Sequence, residues 1–335
     1  MAEPSTLTLP ESYKAIFGAR DGKTITLEEI PLVKPGKNEV LVKMEYTPIN
    51  FVDIATAWGF YGNMIGKTRA GLEGSGVIVA IGNDLVVPHE VGEKVHVLAL
   101  GTWGQYCLAK SHEVYPIIAP GISLEEAANH FINPGTVAYI AECAEKGNHK
   151  CAIHNSGSSA IGRMMVRLFK AKGIKLINIV RKDQYVKELL KDGADYVLNS
   201  SDPDFEKNLR EVIQKENPTV AFDALGGEAT ALLASNLPKK SSIYVYGNLT
   251  GKQISGLSPF DLIGKVISLH GINLDEKKYD TKPEEFDKFI HEVHSQLGDS
   301  LRSNIQKVVP LDQFQESIVL SMQKGSEGKI LFKPN

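Results

Sequence analysis

Cysteine is scarce in this 335-residue chain. Only Cys107, Cys143 and Cys151 occur, an odd number with no close pair, which excludes a disulfide framework and any four-cysteine zinc lobe and fits a reducing compartment. Long hydrophobic runs are also missing. No stretch approaches the roughly 18 apolar residues that span a bilayer, so a water-soluble chain without a membrane partner is expected. Charge of one sign is not in excess: 37 basic residues stand against 40 acidic ones, for a net charge of -3. Without a basic face, nucleic acid is an unsuitable partner, and a small-molecule substrate is the expectation. The amino terminus carries Glu3 and Glu11 and has neither an apolar signal core nor an Arg-rich amphipathic stretch. The cytoplasm is therefore the expected location, with a mitochondrial one as the alternative should a transit peptide have been removed.

What is present divides the chain in two, as its length requires. From Tyr13 to about Tyr115, apolar residues alternate in short segments, as at Val40, Val42 and Met44 or at Val77, Val79 and Ile81, with Gly and Pro between them. This period of two predicts a β-rich unit. From about Ser123, helical stretches alternate with the apolar segments CAIHN, KLINIV, DYVLN, VAFDAL and SIYVYG. Leu176 to Val180 is apolar on both faces, as suits a parallel strand covered by helices on each side. Beyond Ile272 an amphipathic helix is expected around Pro283 to Leu297, followed by a strand, a helix and a final strand. The predicted fold is α/β. A doubly wound Rossmann sheet is expected over 126–272, and a β-rich unit over 1–125, completed by 273–335, with a cleft between the two.

One loop carries chemistry. Ser156, Gly157, Ser158, Ser159, Ala160, Ile161 and Gly162 join an apolar strand to the helix RMMVRLFKAKG. Small residues there let backbone approach a pyrophosphate, and a helix N-terminus offers unpaired N–H groups. Gly157 and Gly162 match the first and third glycines of a GxGxxG pattern, while Ser159 stands at the second. An ordinary tight turn would use the same residue types; the order strand, loop, helix, strand favours a dinucleotide. The next strand ends at Arg181, nineteen positions after Gly162, followed by Lys182. An acidic residue there would bind the ribose hydroxyls of NAD, whereas a guanidinium grips the extra phosphate of NADP, although Asp183 lies close by. Gly226 and Gly247, at the ends of later strands, complete the set expected to bind the cofactor.

With the segments EVLVKMEYTPINFVDIA, GLEGSGVIVAIG, VAFDALGG and GKILFKP, nearly the whole chain resembles the medium-chain dehydrogenase/reductase superfamily. Its zinc-free quinone reductases and enoyl-thioester reductases are the most similar members. The resemblance implies a GroES-like β-rich catalytic domain, NADPH as cofactor and a homodimer joined through the edge strand near SLHGINL. Zinc-dependent members carry a Cys where Asn50 stands and a Gly-His-Glu triplet where Gly71-Leu72-Glu73 stands, so no metal site is expected. INFVDIATAWGFYG is similar to the enoyl-thioester reductases in Asn50, Asp53 and Tyr61, and INPGT implies that Thr136 lies near the nicotinamide. Tyr139 sits one place later than the family's tyrosine.

The activity implied is hydride addition to a C=C bond conjugated to a carbonyl, as in a 2-enoyl thioester. Charge then gathers on the carbonyl oxygen, and a metal-free site needs a hydroxyl or amide donor there. Tyr61 and Asn50 are the candidate catalytic residues, with Asp53 holding the loop. The alternatives are an NADPH:quinone oxidoreductase, which needs no proton donor, and an NADPH-binding protein with a structural or interaction role.

Overall fold

The computed structural model describes residues 8–19, 21–60 and 66–335. Internal contacts divide the chain into two units, Met1–Ile132 with Ser303–Asn335, and Asn133–Arg302.

The first leg of the chain forms β1 (Ser12–Gly18), β2 (Ile25–Pro31), β3 (Glu39–Pro48), α1 (Phe51–Trp58), β4 (Thr68–Arg69), β5 (Gly74–Ile81), β6 (Lys94–Val97), β7 (Tyr106–Lys110), β8 (Val114–Pro116) and α2 (Leu124–Ala127). The second unit follows with α3 (Ile132–Lys146), β9 (Cys151–His154), α4 (Ala160–Ala171), β10 (Lys175–Val180), α5 (Asp183–Lys191), β11 (Tyr196–Asn199) and α6 (Phe205–Glu216). It continues with β12 (Val220–Asp223), α7 (Glu228–Asn236), β13 (Ser242–Val245), α8 (Pro259–Lys265), β14 (Ser268–Gly271), α9 (Leu274–Asp280) and α10 (Pro283–Ser295). β15 (Ile305–Val309), α11 (Phe314–Lys324) and β16 (Lys329–Phe332) return to the first unit.

In the first unit β3 is the spine, pairing with β5, β7 and β16 in a sheet of order β15-β16-β3-β5-β6-β8, with β7 off that path. A smaller sheet has the order β2-β1-β4. Val40, Val42 and Met44 are buried as their alternation predicts, and Leu41 between them is buried too, against Tyr13, Ala15 and Tyr106. β5 departs from its expected phase: Ile78 is fully buried while Ile81 is 42% exposed. The β3–β5 ladder shifts register between Leu41, opposite Ala80, and Val42, opposite Ile78. The return segment enters the core, since Val309, Leu311, Phe314, Ile330 and Phe332 pack with Ile16, Ile49, Ile54 and Trp103. Trp103 also donates its ring N–H to the Pro48 carbonyl at 2.9 Å.

The second unit is a six-stranded, wholly parallel sheet of order β11-β10-β9-β12-β13-β14. This is the doubly wound arrangement, whose strand order reverses between β9 and β12. Ile153, Ile177, Ala221 and Ile243 on the strands pack against Leu209, Ile213 and Leu233 of α6 and α7.

The unit boundaries fall at Ile132/Asn133 and Arg302/Ser303 rather than at 125/126 and 272/273. Residues 273–302 become more charged, which in sequence marks them off from the βα repeats, but their partners lie on the Rossmann sheet's helices. Lys277 meets both carboxylate oxygens of Glu142 at 2.9 and 2.7 Å, and Arg167 of α4 donates to the carbonyls of Ser300 and Arg302 at 3.0 and 2.6 Å.

Candidate active site and nucleotide loop

The loop between β9 and α4 is built by its own small residues. Ser159 caps α4, its hydroxyl accepting from Gly162 N–H at 3.0 Å and donating to the Ser156 carbonyl at 2.7 Å. The serine at the second position of the glycine pattern thus spends its side chain on the turn, so what it offers a ligand is backbone. Gly162 has no alternative: a Cβ there would stand 2.3 Å from the Gly157 carbonyl oxygen and 2.5 Å from that of Ser156. A Cβ on Gly157 would meet Asn178 Cβ at 2.9 Å, so this glycine lets the loop lie against β10. Ser158 is half-buried, and Ala160 and Ile161 open the first turn of α4, whose helix dipole is positive at this end.

A buried carboxylate ties the neighbouring strand end to this loop. Asp223, at the end of β12, accepts from Asn155 Nδ2 at 2.5 Å, from Leu225 and Gly226 N–H at 2.8 and 3.0 Å, and from Thr230 Oγ1 at 2.5 Å. Asn155 Oδ1 in return accepts Ala224 N–H at 2.9 Å. Gly226 adopts φ +67°, which favours glycine, and a Cβ on Gly247 would lie 2.9 Å from the Ala224 carbonyl oxygen. Gly226 and Gly247 therefore shape the loops after β12 and β13. Beside them His154 shares a 2.6 Å hydrogen bond with the Tyr246 hydroxyl. Burial pushes His154 down to about 3 and the Tyr246 hydroxyl up, so both stay neutral at ordinary pH.

At the end of β10, Arg181 and Lys182 are exposed, while Asp183 is turned aside to accept from Asn199 Nδ2 at 2.8 Å. One oxygen of the neighbouring acid is thus engaged by Asn199, and Arg181 and Lys182 project beside it. The loop 156–159, Arg181–Lys182, Gly226 and Gly247 all lie at the carboxyl ends of adjoining parallel strands, the edge where such sheets bind ligands. Thr136 is half-buried in the first turns of α3.

In the first unit, Asn50 caps α1 from the end of a buried polar chain. Its backbone N–H donates to Asp53 Oδ2 at 2.8 Å, its Nδ2 donates to Glu73 Oε1 at 2.8 Å, and its Oδ1 accepts from the Lys329 ammonium. Glu73 Oε2 accepts three successive backbone N–H groups, from His130, Phe131 and Ile132, at 3.1, 2.8 and 3.1 Å. Burial raises the Asp53 carboxyl, with the Glu73 charge adding to the effect. Burial likewise raises Glu73 and lowers Lys329. Tyr61 lies outside the described residues.

Sequence reasoning missed Asn155, Asp223, Thr230, Glu73 and Lys329 as members of these sites. The Asp-x-x-Gly-Gly run at 223–227 and the lysine of GKILFKP were the available signals, but nothing local says what a buried carboxylate or ammonium faces.

A family model described as alcohol dehydrogenase GroES-like domain matches residues 36–155, and one described as zinc-binding dehydrogenase matches 160–295. A mitochondrial enoyl-[acyl-carrier-protein] reductase of Caenorhabditis elegans is 30% identical over 249 residues, 69% of this chain and 68% of that protein. The chain belongs to the medium-chain dehydrogenase/reductase superfamily. The corresponding reductase of Rattus norvegicus is 28% identical across 95% of this chain and 88% of its own. A solved structure described as an NADPH:quinone reductase, from Mesorhizobium loti, superposes with a TM-score of 0.88 at 28% identity, covering 98% of this chain and all of that one. The quinone oxidoreductase of Escherichia coli shares the fold at a TM-score of 0.85 and 22% identity over 96% of this chain.

Within this superfamily the chain is a zinc-free member on the chemistry of its own residues. Asn50 and Leu72 replace anionic or imidazole ligands, and the Lys329 ammonium on Asn50 Oδ1 would repel a dication. The residues at this position do not fit a catalytic zinc.

Proposed function

We propose that the protein is an NADPH-dependent reductase of a C=C bond conjugated to a carbonyl, with a 2-enoyl thioester as substrate. The observation that carries the reading is the match over 95% of the chain to a mitochondrial enoyl-[acyl-carrier-protein] reductase, together with a helix start in which Asn50 pairs with Asp53. Bound NADPH supplies the hydride. Its pyrophosphate would be held by backbone N–H groups of 156–162, the extra phosphate by Arg181 and Lys182, and the nicotinamide side by Thr136, Gly226 and Gly247. The enolate oxygen formed by hydride addition calls for donors, a role assigned to Tyr61 and to the second amide N–H of Asn50.

NADPH:quinone reduction is the second reading, favoured by the Mesorhizobium loti relative at 28% identity. Comparing NADPH oxidation with a 2-enoyl-CoA and with an ortho-quinone separates the two; quinone turnover without enoyl turnover overturns the first. Tyr61→Phe should lower enoyl turnover sharply while leaving NADPH affinity unchanged, and an unaltered rate removes Tyr61 from the mechanism.

No helix among the described residues is long and apolar enough to cross a membrane. Of the two locations the sequence leaves open, the mitochondrial names of the relatives support the mitochondrion. A homodimer is supported by β14, the sheet's edge strand, whose four residues are all exposed, and by the neighbouring exposed Phe260 and Ile263.

A further inference from the structure

Lys329 is an unusual residue to bury. It opens the last strand of the chain, 9% exposed, and burying an ammonium is costly unless its donors are matched. Its Nζ meets Asn50 Oδ1 and, more loosely at 3.4 Å, the Ile49 carbonyl. The charge is not paired directly with a carboxylate. Glu73, the anion of the cluster, lies on the far side of the same amide, bonded to Asn50 Nδ2.

The Asn50 amide is therefore clamped between an obligate donor and an obligate acceptor. A flipped amide would set NH₂ against the ammonium and its carbonyl oxygen against the carboxylate, losing two charge-assisted hydrogen bonds and creating two repulsions. Glu73 in turn is held by three backbone N–H groups and cannot follow a displaced amide. One amide N–H is used by Glu73, and the direction of the second is set by the same clamp.

We infer that Lys329 is a positioning residue, which through Asn50 Oδ1 fixes the orientation of the amide to which the proposed reaction assigns donation to the oxyanion. This rests on the proposed enoyl reduction for its catalytic consequence, while the clamp itself is independent of that reading. The carboxyl-terminal strand thereby takes part in the site built at the start of α1, 279 residues earlier.

Lys329→Met and Lys329→Arg test it with two readouts. With a 2-enoyl-CoA, Lys329→Met should lower kcat by on the order of 10- to 100-fold, the range for a displaced catalytic group, with NADPH affinity within about twofold of the parent. Lys329→Arg, which keeps a cationic donor, should recover most of the rate. A merely structural lysine would lower the folded fraction without this split between kcat and NADPH binding. Independently, the ¹⁵N side-chain amide signal of Asn50, assigned by its loss in Asn50→Asp, should shift in Lys329→Met and keep its place in Lys329→Arg. An unchanged amide signal or an unchanged kcat in Lys329→Met overturns the inference. Should Lys329→Met not fold, Glu73→Gln carries the same two readouts from the other end of the amide. Absence of enoyl turnover in the parent protein refutes the proposed reaction, and the amide signal still decides the clamp.

Discussion

Asn155 and Asp223, 68 residues apart, meet at 2.5 Å and join the carboxyl ends of β9 and β12, the two parallel strands between which the strand order of the sheet reverses. Asp223 has no exposure, and three of the donors it releases on mutation, Asn155, Gly226 and Thr230, are left buried without it. Asp223→Ala should cost at least about 3 kcal/mol, since one unsatisfied buried group alone costs about 1–3 kcal/mol. Chemical denaturation checks the cost. NADPH affinity should fall as well, because Asn155 and Gly226 then lose their fixed places.

Gly162→Ala is a single-methyl test of the nucleotide loop. The methyl would meet two carbonyl oxygens within 2.5 Å, both on backbone, so the turn must open. NADPH binding, measured by fluorescence titration, should weaken by roughly tenfold or more, the loss of one charge-assisted hydrogen bond or more. Affinity equal to the parent's would remove the loop from the pyrophosphate site.

Arg181→Ala separates the two nicotinamide cofactors. The side chain is exposed, and Asp183 is already occupied by Asn199. KM for NADPH should rise by about 10- to 100-fold, as for a lost charged hydrogen bond, and KM for NADH should change little. Equal changes for both cofactors would exclude a contact with the extra phosphate.

Asp53 makes stability depend on pH. Its carboxyl rises from 3.8 to about 8 in the folded chain, so between these values the folded state holds a proton that the unfolded state has released. The sign is then that stability falls as pH rises from about 4 to about 8, by at most about 1.4 kcal/mol per pH unit for one group. Asp53→Asn should flatten this dependence, read as the difference in Tm between pH 5 and pH 8. A parent Tm that climbs over that interval while the variant's stays level would contradict the assignment.

Leu269 on the edge strand β14 and Ile263 of α8, 38% and 76% exposed, test the proposed dimer. Ile263→Glu combined with Leu269→Lys should convert a dimer into a monomer in sedimentation experiments, because buried unpaired charge opposes association.

By itself the sequence determined the β-rich half, the βα repeats, the small-residue loop before α4 and the basic end of β10, because each is a local pattern. Period, turn chemistry and the spacing from Gly162 to Arg181 act within a few tens of residues. Ser159 was legible as part of the loop, but that its hydroxyl caps α4 was not, since Ser and Gly serve turns and ligands alike. Tertiary structure alone decided the phase of β5, which buries Ile78 and leaves Ile81 exposed. It also decided the unit boundary at Arg302, set by Arg167 reaching the carbonyls of Ser300 and Arg302. Most of all it decided the Asn50, Glu73 and Lys329 chain, in which a charge is buried only because its partners arrive from distant strands. Burial and pairing are properties of the assembled core, and no local pattern of side chains encodes them.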